Sequence, residues 1–293
     1  MTHSEIRRSF NISIVAVALA LAGCMETTGQ GTAATTGSSE ADPGSSNGLP
    51  LASVTHGAVE RTWEQAYVYL PEKFNPFGTG VLGGRRGLAS IEQALKAVQP
   101  GSAPPVVIYL HGCGGFGNSG STNAGMLAEA GFVVFGPDSF ARPDRVRTCD
   151  GKRKVGIGPK GIYRQVIGMR ITELNRALKG LNDFPWVNRR TLYLFGHSQG
   201  GNAVAAYTGD AFRARVMTGT RCSAGYHAPV SEPALVASSA NDPWFRGRPV
   251  KCLDYVGRTG LNVTILEGDA HVVARVPEGK VRILSFLKQV RTQ

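Results

Sequence analysis

TLYLFGHSQGG, residues 191–201, decides how the rest of the chain reads. Thr191 to Phe195 is a short apolar run rich in strand formers, set off by Arg189 and Arg190 before it and a glycine after it. An unbroken apolar run of this length is the pattern of a strand buried on both faces, as in a parallel sheet. Residues 202–207 then carry small and apolar side chains at helical spacing. Between the two lies Gly196-His197-Ser198-Gln199-Gly200, a G-x-S-x-G. A serine on so tight a strand-to-helix turn is held in a strained backbone with its hydroxyl above the sheet edge. Glycines two residues to either side let strand and helix pass without a Cβ clash. Ser198 is therefore the candidate nucleophile. The helix N-terminus beside it offers unpaired N–H groups to a developing oxyanion. The same pattern recurs at residues 44–48 (GSSNG), with no strand before it and no helix after, and reads as a chance match.

Upstream of this stretch, residues 105–110 (PVVIYL) read as a second buried strand and 132–135 as a third. Downstream, 215–218, 234–238 and 262–266 read as three more. Helices are expected over 88–98, 121–130, 161–181 and 281–290, the third with Ile162, Val166, Met169, Leu174 and Leu178 near one face. Residues 63–70 read as an early strand ending at Pro71, and 75–87 as a glycine-rich loop. Strands alternating with helices at this spacing imply an α/β domain on a doubly wound, mostly parallel sheet with helices on both faces. Of the 293 residues 42% are hydrophobic, enough for one large domain of this class, expected over 49–293.

Catalytic groups in such a sheet come from loops that follow strands. Asn241-Asp242-Pro243-Trp244 follows the strand 234–238, and His271, in Gly268-Asp269-Ala270-His271, follows the strand ending at Leu266. With Ser198 the order is Ser, Asp, His. His271 would take the serine's proton and return it to the leaving group, while Asp242 would fix its tautomer. Asp254 and Asp269 are alternative acids, although Asp269 suits the turn before His271. The other histidines fit less well: His3 and His56 are near the N-terminus, His111 closes a strand, and His227 follows a different strand. His197 adjoins the nucleophile on a residue expected to point elsewhere. The oxyanion donors are expected to be the backbone N–H groups of Gln199 and of Cys113, the latter in His111-Gly112-Cys113-Gly114-Gly115. Residues 112–117 also spell a literal G-x-G-x-x-G with Asp138 ending the next strand. Polar Asn118-Ser119-Gly120-Ser121 stands where a dinucleotide fingerprint wants its helix under way. No cofactor is therefore expected. No His/Cys/Asp cluster has ligand spacing, so no metal is expected either.

The N-terminus speaks to compartment. Arg7 and Arg8 precede an apolar run over 12–22, then Gly23 and Cys24, the pattern of a secretory signal too short to span a bilayer comfortably. Leu21-Ala22-Gly23-Cys24 resembles the lipobox of bacterial lipoproteins, which implies cleavage before Cys24 and its acylation. The expectation is a signal peptide over 1–23 and a tether over 24–48. The protein would be exported and lipid-anchored to the cell envelope, with the bilayer as partner. Residues 25–48, rich in Gly, Ser, Thr and Ala, would span roughly 25 Å on average. The formal charge is +11 and the pI about 9.7. Basic residues are scattered apart from Lys152-Arg153-Lys154, and aromatics do not alternate with them. That excludes a nucleic-acid partner and favours attraction to an anionic envelope or substrate.

Together the HGCGG loop, Gly136-Pro137-Asp138-Ser139-Phe140 with Arg142, GHSQGG, and the Asp242 and His271 loops resemble the dienelactone hydrolase branch of the α/β-hydrolase superfamily. The resemblance covers roughly residues 106–271. The HGCG turn is also similar to that of secreted polyester depolymerases and feruloyl esterases. Members named for dienelactone activity carry cysteine at the elbow, where this chain has Ser198. The resemblance therefore implies general ester hydrolysis through an acyl-serine, on a small or polymeric ester. A serine peptidase of the same fold and a non-catalytic envelope-binding lipoprotein are the alternatives. Four cysteines remain after Cys24, an even number that suggests two bridges with three possible connectivities in an oxidising compartment. In the implied fold Cys113 and Cys149 lie on neighbouring loops, as do Cys222 and Cys252, which favours those pairs. Free buried thiols are the alternative. Segments 75–87 and 144–160 are both candidates to cover the site.

Overall fold

A computed structural model describes residues 51–257 and 260–292, with side chains from Gly57 onward. The expected signal segment, Cys24, the tether and the GSSNG match lie outside the described residues. The chain runs α1 (Leu51–Glu64), β1 (Tyr67–Leu70), β2 (Leu82–Arg85), α2 (Ala89–Ala97), β3 (Val106–Leu110), α3 (Gly117–Glu129) and β4 (Val133–Gly136). A short hairpin of β5 (Cys149–Asp150) and β6 (Val155–Gly156) precedes α4 (Ile162–Gly180). Then come β7 (Leu192–His197), α5 (Gln199–Ala206), β8 (Ala214–Thr218), β9 (Ala234–Ser239), β10 (Leu261–Leu266) and α6 (Pro277–Thr292).

Eight strands form one sheet in the order β2-β1-β4-β3-β7-β8-β9-β10. β1 is antiparallel to both of its neighbours, and every other pairing is parallel. Alternation along the strands feeds two cores. Val106, Ile108 and Leu110 of β3, with Leu192 and Leu194 of β7, pack with Leu95 of α2, Leu174 of α4 and Val204 of α5. Val107, Tyr109, Tyr193 and Phe195 face the other way, with Leu127 of α3 and Ile283 and Leu287 of α6. Each fully buried aliphatic side chain contributes about 1.5–3 kcal/mol, which explains why these strands read as unbroken apolar runs. After β3 the chain passes to β4 on one side and then returns to β7 on the other. The strand order therefore reverses at β3, and a crevice opens over the carboxyl ends of β3 and β7. This is the mostly parallel, doubly wound α/β arrangement expected.

Three local expectations are corrected. Residues 63–66 are not strand: α1 continues through Glu64 and carries Trp63 into the core. There the indole lies 5.3 Å from the Phe135 ring and against α4 at Gly180, where a Cβ would overlap it. Gly57 and the β-branched residues of α1 give it little propensity of its own, so packing on α4 decides its state. The segment 75–87 is not all loop, because Leu82–Arg85 adds β2 as an edge strand on β1. Gly83 and Gly84 hide that strand in the sequence. Lastly, α3 begins at Gly117 rather than near Ser121, so the polar stretch 118–121 is helical.

Candidate active site

The turn between β7 and α5 holds Ser198 at φ 57° and ψ −115°, a left-handed conformation rare for a residue with a side chain. Its N–H donates to Thr218 O of β8 at 2.8 Å, which ties the elbow to the neighbouring strand. Two glycines make the turn possible. A Cβ at Gly200 would overlap the Leu110 and His111 carbonyls at the end of β3, and one at Gly196 would overlap the Gly200 carbonyl. Both obstacles are backbone and cannot swing aside. The sequence pattern thus has a direct steric cause.

Asp242 follows β9 and His271 follows β10, and the two loops are stitched together. Asn241 N–H donates to Gly268 O at 2.9 Å, and Ser239 Oγ–H to Ala270 O at 2.8 Å. Asp242 is buried, 2% exposed, and its Oδ2 lies 2.6 Å from His271 Nδ1. Its Oδ1 accepts the Trp244 N–H at 3.0 Å. The carboxylate is thus oriented at both oxygens, and the Trp244 ring sits 5.3 Å from the His271 ring. Asp254 and Asp269 are exposed, away from this contact. Ser198 and His271 line the same cavity of about 550 Å³, a size suited to a small organic ligand. His197 does not point away, as expected from sequence, but packs beneath the site. Its ring centroid is 4.8 Å from that of His271, with Nδ1 3.2 Å from Thr218 Oγ1. Burial, and then the neighbouring His271, push its pKa well below the usual histidine value.

The expected oxyanion donors meet at this cavity. Cys113 and Gln199 both line it, and among the described residues no protein acceptor takes either backbone N–H. His111 fixes the loop that carries Cys113. Its Nε2 accepts the Ser139 N–H at 3.1 Å, so Nδ1 carries the proton and donates to Gly112 O at 2.8 Å. Burial, followed by the Arg170 charge, holds the His111 pKa well below its ordinary value. The ring is neutral in this one tautomer. The literal G-x-G-x-x-G lines this cavity through Cys113. Its early helix start no longer separates it from a dinucleotide fingerprint, but its Cys113 is bonded to Cys149.

A buried polar chain that sequence reasoning missed holds the other donor. The Gln199 side chain accepts from Arg145 Nη2 at 2.7 Å and donates to Thr148 Oγ1 at 2.7 Å. Arg145 Nε donates to Ser139 Oγ at 2.9 Å, and that hydroxyl donates to Glu173 Oε1 at 2.8 Å. Glu173 Oε2 in turn accepts from Arg170 Nη1 at 2.9 Å. Burial and the nearby Arg170 charge push Arg145 down to about 10. The signal was present in α4, where Arg170 and Glu173 stand three apart among its buried residues.

Two disulfides frame the cavity, Cys113–Cys149 and Cys222–Cys252, the pairs expected. Of the two candidate covering segments, the one at 144–160 lines the cavity, through Thr148, Cys149 and residues 155–159. The segment 75–87 does not line it and instead contains β2 at the far edge of the sheet.

No protein-family model matches the sequence. No curated protein sequence matches it either. Solved structures do align with it. One is a dienelactone hydrolase from Anabaena variabilis, 20% identical, aligned over 66% of this chain and 88% of its own, with a TM-score of 0.44. Another is a carboxylesterase from Bacillus cereus, 18% identical over 64% of this chain and 88% of its own, with a TM-score of 0.45.

Proposed function

We propose that the protein is a serine hydrolase of carboxylic esters, with Ser198 as nucleophile, His271 as base and Asp242 as the acid that orients it. The observation that carries this reading is the 2.6 Å Asp242–His271 pair on a cavity shared with a serine in left-handed backbone. Asp242 on Nδ1 leaves His271 Nε2 to accept the Ser198 proton as Oγ adds to the ester carbonyl. The oxyanion that forms would be met by the N–H groups of Cys113 and Gln199, held in advance by the His111 and Arg145 contacts. His271 then protonates the departing alcohol, and water releases the acid by the reverse path. No step calls for a cofactor or metal.

The same proposal places the enzyme in the bacterial cell envelope, exported and acylated at Cys24. The sequence pattern at residues 7–24 supports this. The test is fluorophosphonate labelling of the full-length protein, read by intact mass beside Ser198→Ala. One adduct that is absent from the variant, with turnover of short-chain esters and not of peptides, is the expected result. Folded protein that takes no adduct would refute the acyl-serine mechanism and favour the binding-lipoprotein alternative. Fractionation of cells expressing Cys24→Ser tests the anchor: the wild type is expected with membranes, the variant not.

A further inference from the structure

The cavity at Ser198 has two unlike stretches of wall. One is apolar, with Val155, Ile157, Pro159 and Ile162. The other carries Arg221, Arg246 and Arg248, and among the described residues no carboxylate lines the cavity. Arg221 Nε donates to Pro249 O at 2.8 Å and Arg248 Nε to Phe245 O at 3.1 Å. Those bonds fix the two guanidinium stems and leave their terminal amino groups without a protein acceptor among the described residues.

The cationic stretch is also held in place. The Cys222–Cys252 disulfide joins the residue after Arg221 to the segment that follows Arg248. The Ser223 N–H and hydroxyl both donate to Asn202 Oδ1, at 2.7 and 3.0 Å, which pins the same loop to the helix that begins beside Ser198. Burial and the neighbouring Arg248 charge lower the pKa of Arg221, as expected where like charges are held together. A solvated basic surface would let such charges spread apart. Arg246 and Arg248 are exposed at the cavity mouth and Arg221 is half-buried, and the disulfide with the two main-chain bonds holds Arg221 and Arg248 there, with Arg246 two residues before Arg248.

A single carboxylate is matched by one guanidinium fork. Three guanidiniums without a counter-charge suit a group of higher charge and more acceptor oxygens, and a phosphate monoester has both, at about −1.5 to −2. We propose that Arg221, Arg246 and Arg248 form a subsite for a phosphate group on the substrate. The preferred ester then joins an acyl group, held along the Ile157 and Ile162 stretch, to a phosphorylated alcohol. This rests on the acyl-serine reading above. Ser198 Oγ bonds to the acyl carbon, and the bond from that carbon to the alcohol oxygen breaks. The serine proton passes through His271 to the departing oxygen, and water then releases the carboxylic acid. The phosphorus–oxygen bonds are untouched.

The experiment compares kcat/KM of the full-length protein on three esters with one acyl group: butyryl glycerol 3-phosphate, monobutyrylglycerol and butyryl glycerate. Charge-assisted hydrogen bonds predict a preference for the phosphate ester over the neutral one of at least about tenfold, mainly through KM, with the glycerate ester between. In Arg221→Gln/Arg248→Gln that ratio is expected to collapse towards one. A wild-type ratio near one, with monobutyrylglycerol turned over, overturns the subsite and leaves the hydrolase reading standing. A glycerate ester as good as the phosphate ester overturns the phosphate assignment. A ratio unchanged in the double variant overturns the role of these arginines. Calorimetric binding of glycerol 3-phosphate to Ser198→Ala tests the subsite without turnover. Binding weakened at least about tenfold by the same two substitutions supports it even if no ester is cleaved, and absence of binding overturns it.

Discussion

Lowering the pH from 7.5 to 5.5 should destabilise this fold well before its carboxylates titrate. His111 and His197 are both buried, and both have pKa values held well below the ordinary histidine value. On balance their surroundings disfavour a proton, because burial and nearby positive charge outweigh the hydrogen bonds that favour one. His111 faces Arg170, Arg145 and Arg85, with Asp138 Oδ1 at 3.8 Å, and its Nε2 is already an acceptor. His197 faces His271 and Arg275. In the unfolded chain each titrates at about 6.5. Below that pH the unfolded state binds protons that the folded state refuses, so stability falls as pH falls. The loss sets in as pH falls through the unfolded pKa, grows until the lowered folded pKa is passed, and is absent at alkaline pH. For a histidine that stays neutral when folded, the penalty at pH 5.5 is on the order of 1 kcal/mol, so the pair gives roughly 2–3 kcal/mol relative to pH 7.5. At a urea m-value near 3 kcal/mol/M, the midpoint should drop by about 1 M. Asp144 and Asp150, with lowered pKa values, lose stability only in a more acidic range. Glu232, raised by burial, acts in the opposite sense near the acidic limit. Urea melts at the two pH values read the effect directly. Equal midpoints would refute the neutral, buried assignment, as would ring-nitrogen NMR showing His111 protonated on Nε2 at pH 7.5.

Three further outcomes follow from the site. Asp242→Asn keeps the shape but presents the wrong partner to His271 Nδ1, and ester turnover should fall by about 10⁴-fold with KM little changed; stopped-flow or steady-state assays would measure it. Glu173→Gln leaves Arg170 and its neighbours without their buried counter-charge and should cost about 3–5 kcal/mol in urea or thermal melts. Gly200→Ala drives a Cβ into backbone carbonyls, so the cost should exceed about 3 kcal/mol, seen as insoluble expression or a collapsed melting temperature. A soluble Gly200→Ala protein of native stability would show that the elbow has more room than its contacts indicate.

What could be read from sequence was what backbone and burial dictate. Val106–Leu110 of β3 and residues 192–195 of β7 are aliphatic or aromatic throughout because both of their faces are covered, and G-x-S-x-G is glycine-bounded because the carbonyls of β3 and α5 leave no space. What could not be read was decided by tertiary contact. α1 is helical because Trp63 needs the pocket at Gly180, not because LASVTHGAVERTWE favours helix. The Arg145–Gln199–Thr148 contacts join residues about fifty positions apart, and nothing in local pattern couples them. Likewise His197 looked like a bystander because its neighbour Ser198 carried the motif, whereas the left-handed turn at Ser198 leaves His197 facing the ring of His271.

The two disulfides have a bearing on how the protein matures. Cys113–Cys149 joins the oxyanion loop to the covering hairpin, and Cys222–Cys252 joins the arginine loop to the segment beyond it. Neither crosses the sheet or links two core helices. The hydrophobic layers can therefore assemble while the thiols are still reduced. Each bond restrains one loop of the cavity wall, the Cys113 loop and the Arg221 loop, and Cys222 and Cys252 are themselves buried against the core. In a compartment that keeps thiols reduced, the Cys113 and Arg221 loops would lack these covalent restraints. Passage to an oxidising one would complete the site without rearranging the scaffold beneath it.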